Sequence, residues 1–181
     1  MRSQIIILNG TSSAGKSTLA HALRPRLPLP FCYYASDQLA EAGFRPLAST
    51  LVGEPAYWAS RAQFFAGFHR SIAAFANAGN HLLVDHIVET AQWATELSAL
   101  LAPFDVFWVG VHAPLAELTR REQLRGDRTL GEAQFHLPTH TFCHYDVEVD
   151  STQPLATTIA QITSAWATWA SNRQVDLQKE N

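Results

Sequence analysis

Residues 10–17, GTSSAGKS, satisfy the pattern G-x-x-x-x-G-K-S/T at every position. Glycine at each end lets the backbone curl so that successive N–H groups converge on phosphate oxygens. A helix starting at the loop turns its positive N-terminus towards the same charge. In that role Lys16 reaches the β and γ phosphates, and the Ser17 hydroxyl holds Mg²⁺. The expected nucleotide contacts are therefore Gly10, Thr11, Ser12, Ser13, Ala14, Gly15, Lys16, Ser17 and Thr18. Lysine is otherwise scarce: among 13 basic residues only Lys16 and Lys179 are lysines. The N/T-K-x-D signature that reads guanine is thus absent, which makes ATP, with Mg²⁺, the expected cofactor.

Two carboxylates follow apolar runs and are placed to act on what the loop holds. Asp37 lies just after Phe31–Ala35, where a carboxylate can take the proton of an attacking hydroxyl and aim its oxygen in line with the γ phosphate. Ser36 or Asp37 would serve equally well as the N-cap of a short helix. Asp85 closes Leu82-Leu83-Val84 and is expected to bind Mg²⁺ directly or through water, with a capping role as the alternative. His86 follows it, where a hydrolase of the motor type would place a glutamate; this favours transfer to an acceptor over hydrolysis. Arg120, Arg121, Arg125 and Arg128 cluster around RGDR, and planar guanidinium groups match the γ oxygens of a loose transition state. A solvated cationic face explains at least one of the four better, and Arg125 and Arg128, in the glycine-marked stretch, are the expected catalytic cations. His136, His140, Cys143 and His144 are the one group of metal-ligand types, but Pro138 breaks the helical spacing of the first pair, which favours packed histidines.

These side chains need a sheet to hold them. Ile5–Leu8 is a short β-branched run, as for a strand buried on both faces, and Leu19, Ala20 and Leu23 then recur at helical spacing. Further strands are expected at 31–35, 81–84, 104–111 and 145–149, with helices near 56–78, 90–101, 114–125 and 154–171. Alternating strands and helices predict a parallel sheet covered on both faces. Segments 43–55 and 125–138 break the rhythm and are expected to be movable walls of a site. Phe44, Tyr57 and Trp58, with Phe64 and Phe68, suit an aromatic acceptor wall, although core packing explains most of these rings equally well.

A chain of 181 residues is expected to form a single domain over 1–181, with a lid about 125–138 and an acceptor-side segment about 37–70. Hydrophobic residues make up 47% and charged ones 16%, which excludes a disordered or fibrous chain. The net charge of −3 argues against a nucleic-acid partner. Two separated cysteines, no apolar run long enough to span a membrane and no signal-peptide core make the cytoplasm the expected compartment.

IIILNGTSSAGKS, SDQLAEA, LLVD, DVFWVGVH, RGDR and YDVEVDST occur in this order over about residues 5–153, and together they resemble the chloramphenicol phosphotransferase family. The resemblance implies a three-layer P-loop kinase fold, like that of nucleoside monophosphate kinases. Its five-stranded parallel sheet would be flanked by helices, with a short arginine-bearing lid. It implies ATP-dependent phosphorylation of a hydroxyl on a small molecule, chloramphenicol or a related compound. Asp37 would be the general base, Lys16 and Ser17 the nucleotide and Mg²⁺ contacts, Arg125 and Arg128 the lid cations, and Ser151-Thr152-Gln153 would lie by the adenine. GFRPLASTLVGEP is shorter than the acidic, glycine-rich stretch that members carry after the Asp37 helix. Two alternatives stay open: a kinase of another metabolite, and an ATP-binding regulatory module without transfer. The expected partners are a nucleotide and a small hydroxylated acceptor, with no nucleic acid or membrane, and an oligomer left open.

Overall fold

The computed structural model describes residues 2–47, 53–125 and 131–179, with side chains described up to residue 173. Five strands form one sheet in the order β2-β3-β1-β4-β5, and every neighbouring pair is parallel. They are β1 (Gln4–Asn9), β2 (Phe31–Ala35), β3 (His81–His86), β4 (Asp105–His112) and β5 (Val147–Asp150).

Strand β1 shows why the sheet has two covered faces. Side chains alternate across a strand, and its continuous apolar run therefore feeds two cores. Ile6 and Leu8 pack in one of them with Leu19, Ala20 and Leu23 of α1 (Lys16–Leu23) and Ile159, Ile162 and Trp166 of α8 (Leu155–Lys179). Ile5 and Ile7 pack in the other with Phe68, Ile72 and Ala76 of α3 (Glu54–Asn77) and Ala94, Leu97 and Leu101 of α4 (Ala91–Leu101). Each such fully buried aliphatic or aromatic side chain contributes about 1.5–3 kcal/mol of burial energy.

Register fixes which strand ends meet. Leu8 stands beside Asp85, Ala35 also stands beside Asp85, and Asn9 stands between His86 and Gly110. The loop after β1, the acid ending β3 and the turn after β2 therefore share one edge of the sheet. That edge also carries α2 (Ser36–Leu39), which runs on into a wider helical turn over Ala40–Phe44. Across the loop lie α5 (Leu115–Arg125), α6 (Glu132–His136) and α7 (Thr139–Phe142). The last two fill part of the stretch in which no regular element was expected. Among the described residues no helix is long and apolar enough to cross a membrane.

Candidate functional site

The loop between β1 and α1 is built by close approach and by unusual backbone angles. A Cβ on Gly10 would lie 2.3 Å from the Val111 carbonyl oxygen, so only glycine lets β1 leave the sheet this close to β4. Ser13 at φ +61° and Gly15 at φ +89° turn the chain so that Gly15 ends the loop and caps α1. Thr11, Ser12, Ser13, Ala14 and Lys16 are buried. Among the described residues the Thr11 and Ser13 hydroxyl oxygens have no hydrogen-bond partner, which buried oxygens rarely tolerate. A bound phosphate would supply what they lack. Lys16 Nζ reaches back over the loop to donate to the Thr11 carbonyl at 2.9 Å.

Asp85 is where the loop meets the sheet. It is 8% exposed; its Oδ2 accepts from the Ser17 hydroxyl at 2.6 Å and from the Tyr33 hydroxyl at 3.1 Å, and its Oδ1 lies 3.9 Å from Lys16 Nζ. Burial first, and then the Asp85 carboxylate, push the Tyr33 phenol well above its ordinary range, so it donates as a neutral hydroxyl. Ser17 and Asp85 present hard oxygen donors side by side, a donor set that suits Mg²⁺.

A cavity of about 550 Å³ opens from this point. Its lining includes Lys16, Ser17, Asp85 and Arg125 together with Asp37, Arg45, Tyr57, Trp58, Arg61 and Glu89. Asp37 lies in the first turn of α2 and is exposed; the N-cap is Ala35, and no side chain caps this helix. Arg45 donates to the Tyr57 hydroxyl at 2.6 Å and lies over its ring. Phe44 is 71% exposed and lies off the cavity wall, Phe68 belongs to the core, and Phe65 takes the inner place.

A second hollow, of about 370 Å³, lies on the other side of the loop and is bordered by Thr18, Leu19, Arg121, Arg125, Ser151 and Gln153. Arg121 fixes its floor by donating to the Ser13 carbonyl at 3.3 Å, to Ser151 Oγ at 3.0 Å and to the Ser151 carbonyl at 3.0 Å. The arginine cluster therefore divides by position. Arg120 is exposed against Glu117, Arg121 ties the loop to the exit of β5, Arg125 borders both hollows, and Arg128 lies outside the described residues.

The histidine cluster is spread over two places. His136 Nε2 lies 3.5 Å from the Glu89 carboxylate, while His140 stacks on His112 and shares a 2.9 Å hydrogen bond with the Tyr145 hydroxyl. Tyr145 accepts in turn from Asn9 Nδ2 at 2.7 Å, and Asn9 Oδ1 accepts the Val88 N–H at 2.9 Å, which pins the last residue before the loop. Two pairs escaped sequence reasoning: Arg61 with Glu89 on the cavity wall, and buried His69 behind His86, whose Nε2 atoms lie 2.9 Å apart. Burial lowers the His69 pKa to about 4. Burial, then His69, Lys16 and Arg61, hold that of His86 well below the ordinary imidazole range, so both rings are neutral. Arg121 alone carried a usable signal, its spacing of four from both Glu117 and Arg125 on one helical face.

Comparison with known proteins bears on the family and the fold. A family model described as chloramphenicol phosphotransferase-like protein matches residues 3–167. A protein of Mycobacterium tuberculosis strain H37Rv, provisionally named an O-phosphotransferase, is 29% identical over 174 residues, covering 82% of this chain and 75% of its own. Among solved structures, the APS kinase of Mycobacterium tuberculosis, determined with AMPPNP and APS, superposes with a TM-score of 0.68 at 19% identity, over 92% of this chain and 98% of that one. A gluconokinase of Sinorhizobium meliloti gives 0.65 at 16% identity, over 97% and 99%. The tunicamycin resistance protein of Deinococcus radiodurans gives 0.65 at 20% identity, over 90% and 95%. At these identities the solved structures establish a shared kinase fold.

Proposed function

Because the chain belongs to the chloramphenicol phosphotransferase-like family, we propose that it transfers the γ phosphate of ATP to a hydroxyl of a small molecule, chloramphenicol or a related compound. The observation that carries this reading is the lining of one cavity. Lys16, the hydrogen-bonded Ser17–Asp85 pair and Asp37 all line it, and its volume leaves room for an acceptor.

The loop amides and Lys16 hold the triphosphate, and Arg121 sets the hollow that takes the base. Ser17 and Asp85 would hold Mg²⁺, which neutralises the β and γ oxygens when bound. Asp37 accepts the acceptor's proton while the acceptor oxygen bonds to the γ phosphorus; the bond from that phosphorus to the β–γ bridging oxygen breaks, and ADP leaves. Arg125 lies where charge on the transferring group can be met, and Arg128 is proposed to join it.

Replacing Asp37 with Asn keeps the size of the side chain and removes the base. The Asp37→Asn variant is expected to bind ATP as the wild type does and to lose transfer by roughly 10²–10⁴-fold. Coupled ADP release across hydroxylated antibiotics and metabolites, beginning with chloramphenicol, measures this. Turnover at the wild-type rate in the variant would remove Asp37 from the mechanism.

A further inference from the structure

Three side chains far apart in sequence meet on the acceptor side of the cavity. Arg61 of α3 donates to the Glu89 carboxylate in the segment after β3, and His136 at the end of α6 lies 3.5 Å from the same carboxylate oxygen. All three are mostly covered, with side chains 17%, 11% and 12% exposed, and all three line the cavity. The Arg61 guanidinium also sits among aromatic rings, 4.7 Å from the centre of Phe65 and 5.8 Å from those of Trp58 and Trp93. Burial disfavours a charged Glu89, but the bonds from His136 and Arg61 outweigh it and hold the carboxyl below its ordinary range.

Glu89 has a consequence for what can bind. Arg61 would otherwise be a desolvated cation facing the acceptor, an attractive partner for a carboxylate, sulfate or phosphate. With Glu89 ionised beside it, that attraction is cancelled inside the wall. Among the described residues, the other charged side chains lining the cavity beyond the Lys16–Asp85 pair are the carboxylates of Asp37, Glu41 and Glu132 and the guanidinium groups of Arg125 and of Arg45, which lies over Tyr57.

We propose that Arg61 and Glu89 determine acceptor specificity, and that together they select a hydroxylated acceptor that is uncharged or cationic and reject one bearing an anionic group. This rests on the phosphotransferase reading for the reaction, but not for the selection itself, which is a property of binding.

The test uses three acceptors of one shape: para-(hydroxymethyl)benzamide, para-(hydroxymethyl)benzylamine and para-(hydroxymethyl)benzoate. Each is measured twice, as kcat/KM for ADP release with Mg-ATP and as Kd in the presence of a non-hydrolysable ATP analogue. In the wild type the benzoate is expected to rank last by about tenfold or more. Glu89→Gln frees the Arg61 charge and is expected to raise the benzoate relative to the amide by about tenfold. Arg61→Met leaves the Glu89 carboxylate with His136 but without the guanidinium charge and is expected to move preference the opposite way, towards the amine, which keeps the test usable if one variant fails to fold. A merely structural role for the pair would lower all three acceptors alike. Equal ranking in the wild type, or parallel losses in both variants, overturns the proposal. Absent transfer with the Kd ranking intact would instead overturn the phosphotransferase reading and support the charge selection.

Discussion

A methyl group at position 10 has nowhere to go. It would stand 2.3 Å from the Val111 carbonyl oxygen and 3.3 Å from that carbonyl carbon, atoms of the β4 backbone that cannot rotate aside. Gly10→Ala must therefore part β1 from β4 where the phosphate loop begins, an overpacking defect worth about 1–3 kcal/mol. The variant is expected to show a lower urea midpoint with an unchanged slope; an unaltered midpoint would mean that the two strands separate without cost. Gly15 answers a different demand. Its φ of +89° is one that residues with a Cβ adopt at a cost, whereas the nearest atom to an added Cβ is a guanidinium nitrogen of Arg121 at 3.5 Å, which can move. The same letter in the motif thus encodes closeness at one end of the loop and backbone freedom at the other. The motif pattern in the sequence reveals the glycines, and the contacts around each one separate their reasons.

Helix α6 is held at its start by a side chain from another helix. Glu122 of α5 is 1% exposed, and its carboxylate accepts the Gly131 N–H at 3.1 Å and the Ala133 N–H at 2.6 Å. This satisfies amides that a helix N-terminus leaves open and favours its positive end. Glu122→Gln keeps the volume but gives up the charge and one acceptor, and should weaken the start of α6 by about 1–3 kcal/mol. Amide exchange at Gly131 and Ala133 is expected to quicken about tenfold or more, with the strands unaffected; unchanged exchange would mean that α6 stands without Glu122. The elements legible in the sequence are those carrying their own periodicity: the strands expected at 5–8, 31–35, 81–84 and 104–111 and the helices expected near 56–78, 90–101 and 114–125 stand within about two residues of their observed positions, whereas the last helix, expected near 154–171, runs on to Lys179. Helices α6 and α7 were not legible, because each is under two turns long and is held by distant partners such as Glu122 rather than by an apolar stripe. Strand β5 begins at Val147 rather than at Tyr145, whose hydroxyl turns in to Asn9 and His140. The loop, Asp37 and Asp85 follow strands and could be read, whereas Arg61 with Glu89 and His69 with His86 are 28 and 17 residues apart, spacings that no local rule relates.

The molecule as a whole buries imidazoles in both of its halves, and this gives its stability a sign with respect to pH. His69 and His86 lie between α3 and the sheet, and His140 lies over the C-terminal end of β4 against His112. Burial holds His69 and His140 at a pKa of about 4 and keeps His86 well below the ordinary imidazole range, and the charges of His112 and Lys16 reinforce the shift at His140. In the unfolded chain the same rings take up protons near pH 6.5. Between that pH and about 4 the unfolded state therefore binds more protons than the folded one, so stability is full above the window and is lost as pH falls through it. Each group in the window steepens the dependence by up to about 1.4 kcal/mol per pH unit. The depressed carboxyl of Glu89 acts in the same direction only below the ordinary glutamate range, so the histidines dominate the upper part. Urea midpoints measured from pH 7 to pH 5 should fall on acidification. His69→Gln, which can still hydrogen-bond His86, should flatten that fall, because one neutral ring no longer has to be kept from its proton. A midpoint indifferent to pH, or a variant as steep as the wild type, would mean that these rings reach protons without opening the core.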